Sequence, residues 1–505
     1  MNVAENVDIE ADDPDRPTSA QWWGALVLSL SLAIVVIDGT VLNVAVPTVI
    51  RELHTTFPAM EWVISGYSLV IASLLLVAGR LGDQYGRRLM FMLGAAIFAV
   101  GSLLASVANT VPVLFVGWSI LEGIGAALML PSTLALLSEN FRGKYRPIAF
   151  AMWGSVAGAA AAVGPLLGGW LTEYHSWRWA MRINIVVAAV ALLAITRLIN
   201  ESRAPRSERT FDPLGVVLAT VGVFSVTFAV IESQRYGWWT RLNAGPFGLA
   251  LPAHLSVVPP ALAVGMGLLG VFTVRETRIE RRHGDPLFRF TLLKVPSYRL
   301  GLLAQAALSL GEMGVILGLS IYLQNQLHLT AFRTGVALVP LAVAALLVGG
   351  VSGPLAAKIG PARVVTLGLG IEACGAAGVF LVGSHAGTAN ALIAPLALYG
   401  LGLGMASAQL TNVTLAQVPP DLTGAASGAT STVRQLGSAL GVAITGALLA
   451  SGTTLGHGIA HTALLAGTLQ ILAAAGSLAL WRIDLEPAPQ AAGVDPASCT
   501  PDSEA

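Results

Sequence analysis

Four carboxylates stand inside stretches that are otherwise apolar: Asp38, Glu122, Glu312 and Glu372. At the centre of a bilayer-spanning helix an aspartate costs roughly 2.5 to 3.5 kcal/mol on insertion scales, so a partner, water, a proton or a function must offset it. Gly39, Thr40 and Asn43 follow Asp38 closely. Gln305, Ser309 and Glu312 recur at i, i+4 and i+7 and so share one helix face. Gln409 and Asn412 form a shorter version of the same stripe. A polar stripe on an apolar helix is expected to face a cavity rather than lipid. Burial disfavours the charged form of a carboxyl, so an acid in such a cavity can take up and release a proton as its access changes. A proton entering from outside would displace a bound substrate outward, and its loss to the inside would reset the site. For each acid the competing reading is a structural hydrogen bond to a neighbouring helix, which the residues alone leave open.

The elements that must carry these residues are membrane helices. The 505-residue chain is 55% hydrophobic and 11% charged, with 55 glycines, and its mean hydropathy is +0.72; soluble domains carry about 25% charged residues. Windows long enough to cross about 30 Å of hydrocarbon fall near residues 22–46, 62–79, 89–108, 112–137, 148–170, 179–199, 213–231, 254–274, 300–325, 335–356, 364–383, 389–416, 425–450 and 461–481, fourteen spans in all. Pro246, Pro252, Pro259 and Pro260 interrupt the region of the seventh and eighth. The polar, acidic start lacks the basic lead of a cleavable signal, so Trp22 onward is expected to be a retained span.

Basic residues orient the chain, because Lys and Arg are retained on the cytoplasmic side. With the amino terminus inside, the inner segments hold twenty-one of the twenty-eight basic residues, the outer segments five, and the spans two, Arg182 and Arg434. Both termini are therefore expected in the cytoplasm. The implied organisation is an inner tail at 1–20, a six-helix bundle at 21–200, two inserted helices at 201–274, an inner linker at 275–298, a second six-helix bundle at 299–483 and an inner tail at 484–505. Ile279, Leu287, Phe288, Phe290, Leu292 and Leu293 give the linker an apolar face expected to lie on the inner leaflet. Trp238 and Trp239 suit an outer aromatic belt. Gly79, Leu81 and Gly86 find equivalents 274 residues later in Gly353, Leu355 and Gly360, as two halves related by an axis along the membrane normal would show.

The loop after the second span reads Gly79-Arg80-Leu81-Gly82-Asp83-Gln84-Tyr85-Gly86-Arg87-Arg88. Glycines permit a tight turn, the aspartate lies near the start of the third span where the helix dipole favours an anion, and arginines can pair with it. In this pattern the chain resembles the major facilitator superfamily. Ile37-Asp38-Gly39-Thr40-Val41-Leu42-Asn43-Val44-Ala45-Val46-Pro47 is similar to the first-helix motif of its fourteen-span drug:proton antiporter branch, and Gly164-Pro165-Leu166-Leu167-Gly168-Gly169 resembles the antiporter motif of the fifth span. Trp177-Arg178-Trp179 with Ile183-Asn184, Asp285-Pro286-Leu287, and Ala426-Ser427-Gly428 with Arg434-Gln435-Leu436-Gly437 are similar to further landmarks of that branch. The resemblance covers residues 21–482. It implies a major facilitator fold of two six-helix bundles plus two inserted helices, and a proton-driven exporter.

The departures shift the expected roles. Ser119, Glu122 and Gly123 stand where relatives usually carry an arginine and, three residues on, a glutamine-glycine pair; Arg182 stands where an apolar or aromatic residue is usual. Glu122 is therefore expected to share the proton with Asp38, and Glu312 joins them. Asn43, Trp118, Ser119, Arg182, Gln305, Ser309, Gln409 and Asn412 are the candidate substrate cavity. Gly79, Arg80, Asp83, Gly86, Arg87, Arg88, Gly164, Pro165, Gly168, Gly169 and Arg434 are the candidate gating residues. Ala357 occupies the place of the loop aspartate in the second copy.

Other chemistries find little support. The eight histidines are scattered without metal spacing. The two cysteines differ too much in setting for a disulfide or a metal site. No phosphate loop occurs in a chain with three lysines, and a net charge of zero gives no reason to expect a nucleic-acid partner. No cofactor is expected; the proton gradient is the energy source. The expected protein is a monomeric exporter of small amphipathic compounds, cationic or neutral, in a bacterial inner membrane. Export of a lipid or an endogenous secondary metabolite is the alternative, ahead of a non-transporting sensor or an intramembrane enzyme.

Overall fold

The computed structural model describes residues 16–202, 212–243, 255–282, 284–385, 388–451 and 455–482; a few side chains within helices, among them Asn43 and Pro165, lie outside that description. Both tails, Pro246, Pro252, His254 and His283 also lie largely or wholly outside it. The described chain is helical, with one isolated bridge between Thr240 and Leu255.

The helices are α1 (Ser19–Glu52), α2 (Phe57–Tyr85) and α3 (Arg87–Ser106), α4 (Val111–Asn140), then α5 (Tyr145–Tyr174), α6 (Arg178–Leu198), α7 (Pro213–Ile231) and α8 (Val258–Arg281). After a 3-10 turn at Phe290–Lys294 come α9 (Pro296–Ile321), α10 (Ala331–Ile359), α11 (Pro361–Ser384), α12 (Ile393–Leu415), α13 (Thr423–Ser451) and α14 (Leu455–Leu478). Thirteen helices among the described residues are long and apolar enough to cross a membrane. The remaining expected window, 148–170, falls in α5, several of whose side chains are not described. Pro259 and Pro260 open α8 instead of breaking it; in a first turn the missing N–H groups have no intrahelical partner to lose.

Two apolar cores organise the packing. One is built mainly from α1 to α6, the other from α9 to α14. Between them α5 packs on α1 on one side and on α10 and α12 on the other, while α2 packs on α13. Helices α7 and α8 pair with each other, and α7 leans on α2. The linker departs from its expected place on the leaflet: Leu287, Phe288 and Leu292 are buried in the first core. Glu276, itself buried, accepts the Leu287 N–H, and Arg275 pairs with Asp212 at the start of α7. An apolar face recognises protein as readily as lipid, and here the bundle offers the nearer surface.

Two helices contain wide turns, Phe115–Glu122 in α4 and Tyr322–Gln326 after α9. Such π segments are rare and concentrate at functional sites. The first contains Trp118, Ser119 and Glu122.

Candidate functional site

The wide turn of α4 aims its side chains at α1. Trp118 Nε1 donates to Asp38 Oδ2 at 2.8 Å, and Asn184 of α6 donates to Asp38 Oδ1 at 2.6 Å. Tyr67 of α2 stacks on the Trp118 ring with centroids 4.6 Å apart. Glu122 lies beside Asp38, with Ser102 and Asn184 as its further polar neighbours. Both Glu122 carboxyl oxygens are buried, and neither receives a hydrogen bond among the described residues. Asp38 and Glu122 are almost wholly shielded, at 1% and 0% exposure. Five helices, α1, α2, α3, α4 and α6, thus converge on two adjacent acids. Asn184 and Tyr67 were not among the expected site residues; the signal for Asn184 was a lone amide in an apolar window.

The expected cavity residues divide. Trp118 belongs to the acid pair, whereas Ser119 donates to Val63 O at 2.6 Å and ties α4 to α2. Gln305 and Ser309 are buried and bonded to each other at 3.2 Å. Glu312 is buried on the same face, with Arg434 of α13 in electrostatic reach. Gln409 is spent elsewhere: its Nε2 donates to Pro147 O at 2.8 Å, and Asn412 in turn bonds Gln409 at 3.3 Å. That pair bridges α12 to α5. Arg182 departs furthest from expectation. It is exposed and lies over the Trp179 ring, 4.9 Å from its centroid, on the perimeter face shared with Val186 and Val190. A cation–π contact at the rim accounts for a charge that apolar neighbours would not tolerate at depth.

The expected gating loop forms a junction between the halves. Asp83 accepts from the Gly424 and Ala425 N–H groups at 2.8 and 2.7 Å, so it caps the N-terminus of α13 rather than that of the third span. The dipole argument holds, with the helix supplied by the other half. Arg87 donates to Asp83 at 2.8 Å, to Glu139 and to Pro420 O at 2.6 Å. Arg80 pairs with Asp285 of the linker, and Arg88 donates to Ile199 O at 2.9 Å. Gly86 takes φ +121°, a turn that side chains strain to adopt. At Gly79 a Cβ would lie 2.2 Å from Gly424 O, so only glycine lets α2 reach α13. In α5, Gly164 abuts Thr40 and Gly168 abuts Val41, both of α1, while Gly169 faces Phe332 of α10.

Comparison with known proteins places this arrangement. A family model described as the Major Facilitator Superfamily matches residues 28–442. The puromycin resistance protein pur8 of Streptomyces alboniger is 33% identical over 477 residues, covering 92% of this chain and 89% of that protein. The multidrug efflux pump LfrA of Mycolicibacterium smegmatis is 31% identical, covering 87% and 83%. Among solved structures, the proton:xylose symporter XylE aligns with a TM-score of 0.62 over 93% of this chain and 96% of its own, at 12% identity, a likeness of fold alone. With a family match across most of its length and the same helical architecture, the chain belongs to the major facilitator superfamily, a family of membrane transporters and not of enzymes.

Proposed function

We propose that this transporter is a proton-coupled exporter of small amphipathic compounds, cationic or neutral, of the fourteen-span type. The observation that carries the reading is that Glu122 follows Trp118, whose indole holds Asp38, by four residues on α4, inside a fully buried cluster. Two carboxylates side by side repel each other, and one proton shared between them removes the repulsion. A pair of this kind changes its net charge by one on each cycle of access, which is what coupling to a gradient requires. The names of the relatives above, a puromycin resistance protein and a multidrug efflux pump, support an amphipathic drug-like substrate. Helix α5 is the fourteenth span of this reading. Placing the α2–α3 turn and the linker on the cytoplasmic side of a bacterial inner membrane, with both termini there, follows the basic residues. The two bundles with their inserted pair act as a monomer, and the junction at Asp83 opens and closes between them.

Inverted vesicles test the coupling. With an imposed pH gradient, wild-type protein accumulates a fluorescent lipophilic cation. Asp38→Asn and Glu122→Gln each reduce gradient-driven uptake by at least about tenfold, which corresponds to some 1.4 kcal/mol of lost driving interaction. Undiminished uptake in both variants would sink the assignment.

A further inference from the structure

The half built from α9 to α14 contains a second buried polar cluster, outside the Asp38–Glu122 pair. Glu372 of α11, Tyr399 of α12 and Gln470 of α14 are all at 0% exposure. Gln470 Nε2 donates to Glu372 Oε1 at 2.6 Å and lies 3.2 Å from the Tyr399 hydroxyl oxygen. The second carboxyl oxygen, Glu372 Oε2, and the amide oxygen Gln470 Oε1 have no hydrogen-bond partner among the described residues. The titratable groups that face Glu372 are Glu312 from α9 and Tyr399 from α12, and neither brings positive charge.

An ionised Glu372 would be a buried anion beside a second acid, with the Tyr399 hydroxyl as a neighbour and one oxygen lacking a donor among the described residues. Burying a charge without a partner is among the costliest arrangements a protein can hold. One proton resolves both deficits. As a neutral carboxylic acid, Glu372 can donate an O–H, and the open acceptor is Oε1 of the amide that already bonds it through Nε2. An acid and a primary amide complement each other in this manner because each offers one donor and one acceptor.

We propose that Glu372 is a second proton-binding site, held as a neutral acid against the Gln470 amide, and that Glu312 passes the proton between this site and the rest of the protein interior. Glu312 suits the second role by place: it lies on the α9 face shared with Gln305 and Ser309, it follows Gly311, where a Cβ would lie 3.2 Å from Gln470 Nε2, and Glu372 and Arg434 are both within its electrostatic reach. Its part in transport rests on the proton-coupled reading above; the protonation of Glu372 does not.

Infrared difference spectroscopy on the purified full-length protein in a neutral buffer reads the site directly. A buried carboxylic acid shows its own carbonyl band, which downshifts in D2O. The expected result is loss of one such band in Glu372→Gln, its retention in an Asp38→Asn/Glu122→Gln double variant, and a several-fold slower deuterium shift in Glu312→Gln. An unchanged carboxylic-acid region in Glu372→Gln would overturn the site, and an unchanged exchange rate in Glu312→Gln would overturn the relay. If Glu372→Gln does not fold, Gln470→Leu moves the same band by removing its acceptor, and an unmoved band is equally decisive against the proposal. Vesicle uptake separates the two readings. Loss of the Glu372 proposal with Asp38→Asn still uncoupled removes only this site, whereas wild-type uptake that ignores the gradient removes the coupling and leaves the band to decide Glu372.

Discussion

The two seams between the halves of this transporter are built from different materials. Where α2 meets α13 the contact carries buried charge: Asp83, paired with Arg87 in its own half, caps the α13 N-terminus, and Arg87 binds Glu139 and, across the seam, the Pro420 carbonyl. Where α5 meets α10 and α12, Gly353 abuts the Ile148 backbone, and Gln409 and Arg146 donate to the carbonyls of Pro147 and Leu415. The backbone repeat behind them is the same, with a positive-φ glycine at Gly86 in one copy and at Gly360 in the other. The charges differ: Asp83 and Arg87 of the first copy are Ala357 and Pro361 in the second. The difference teaches that one seam concentrates its strength in a few charged groups while the other spreads it over packing. Buried charges need their partners, so losing one group at the first seam costs more than losing a packing contact or a single hydrogen bond at the second.

The contrast can be broken most forcefully at Asp83. Asp83→Ala strips a buried arginine of a principal partner and is expected to cost about 3–5 kcal/mol, read as a lowered unfolding midpoint in detergent together with lost export. An unaltered midpoint would mean that the ionic seam is ornamental. A smaller effect is expected from overpacking, about 1–3 kcal/mol. Gly79→Val should impair export more than Gly353→Val, since the added Cβ meets Gly424 O at 2.2 Å in the first seam and Ile148 Cα at 2.7 Å in the second; the reverse order in vesicle uptake would break the ranking of the seams. The smallest effect belongs to Ala357→Asp. Ala357 is exposed, so restoring the acid of the repeat should change stability by no more than about 0.5 kcal/mol, and a large gain in the unfolding midpoint would show that the second seam has a receptive helix end after all.

What the sequence makes legible follows the range of the interaction that matters. Asp38 and Glu122 stand out as acids in apolar windows, because insertion energetics act on each residue in isolation. Their mutual contact does not, since it depends on α4 crossing α1 and on the wide turn that re-aims Glu122. Gln409 and Asn412 show why a polar stripe alone misleads: a seam between bundles asks for buried polar groups just as a cavity does, and periodicity cannot separate the two. Arg182 and the linker fail for a related reason. Hydropathy reports that a surface is apolar without saying whether lipid or protein covers it, so a rim arginine reads as a buried one and a docked linker as a membrane-lying one. Asp83 is intermediate: its local chemistry calls for a helix N-terminus, and only the tertiary structure says which.

The wide turn of α4 has a consequence for how such a site is inherited. A π segment fits one more residue into a helix without moving its flanks, and each residue in a regular helix turns its successor by about 100°. Removing a single residue within Phe115–Glu122 would therefore leave the flanks in place and turn the side chains of the segment itself, taking the indole or Glu122 away from Asp38 while leaving the span count, the composition and the hydropathy profile almost untouched. The acid pair is thus guarded by a reading frame within the helix. Relatives that keep both acids but lack this one-residue surplus would hold them apart, and sequence identity at those positions would overstate their kinship in function.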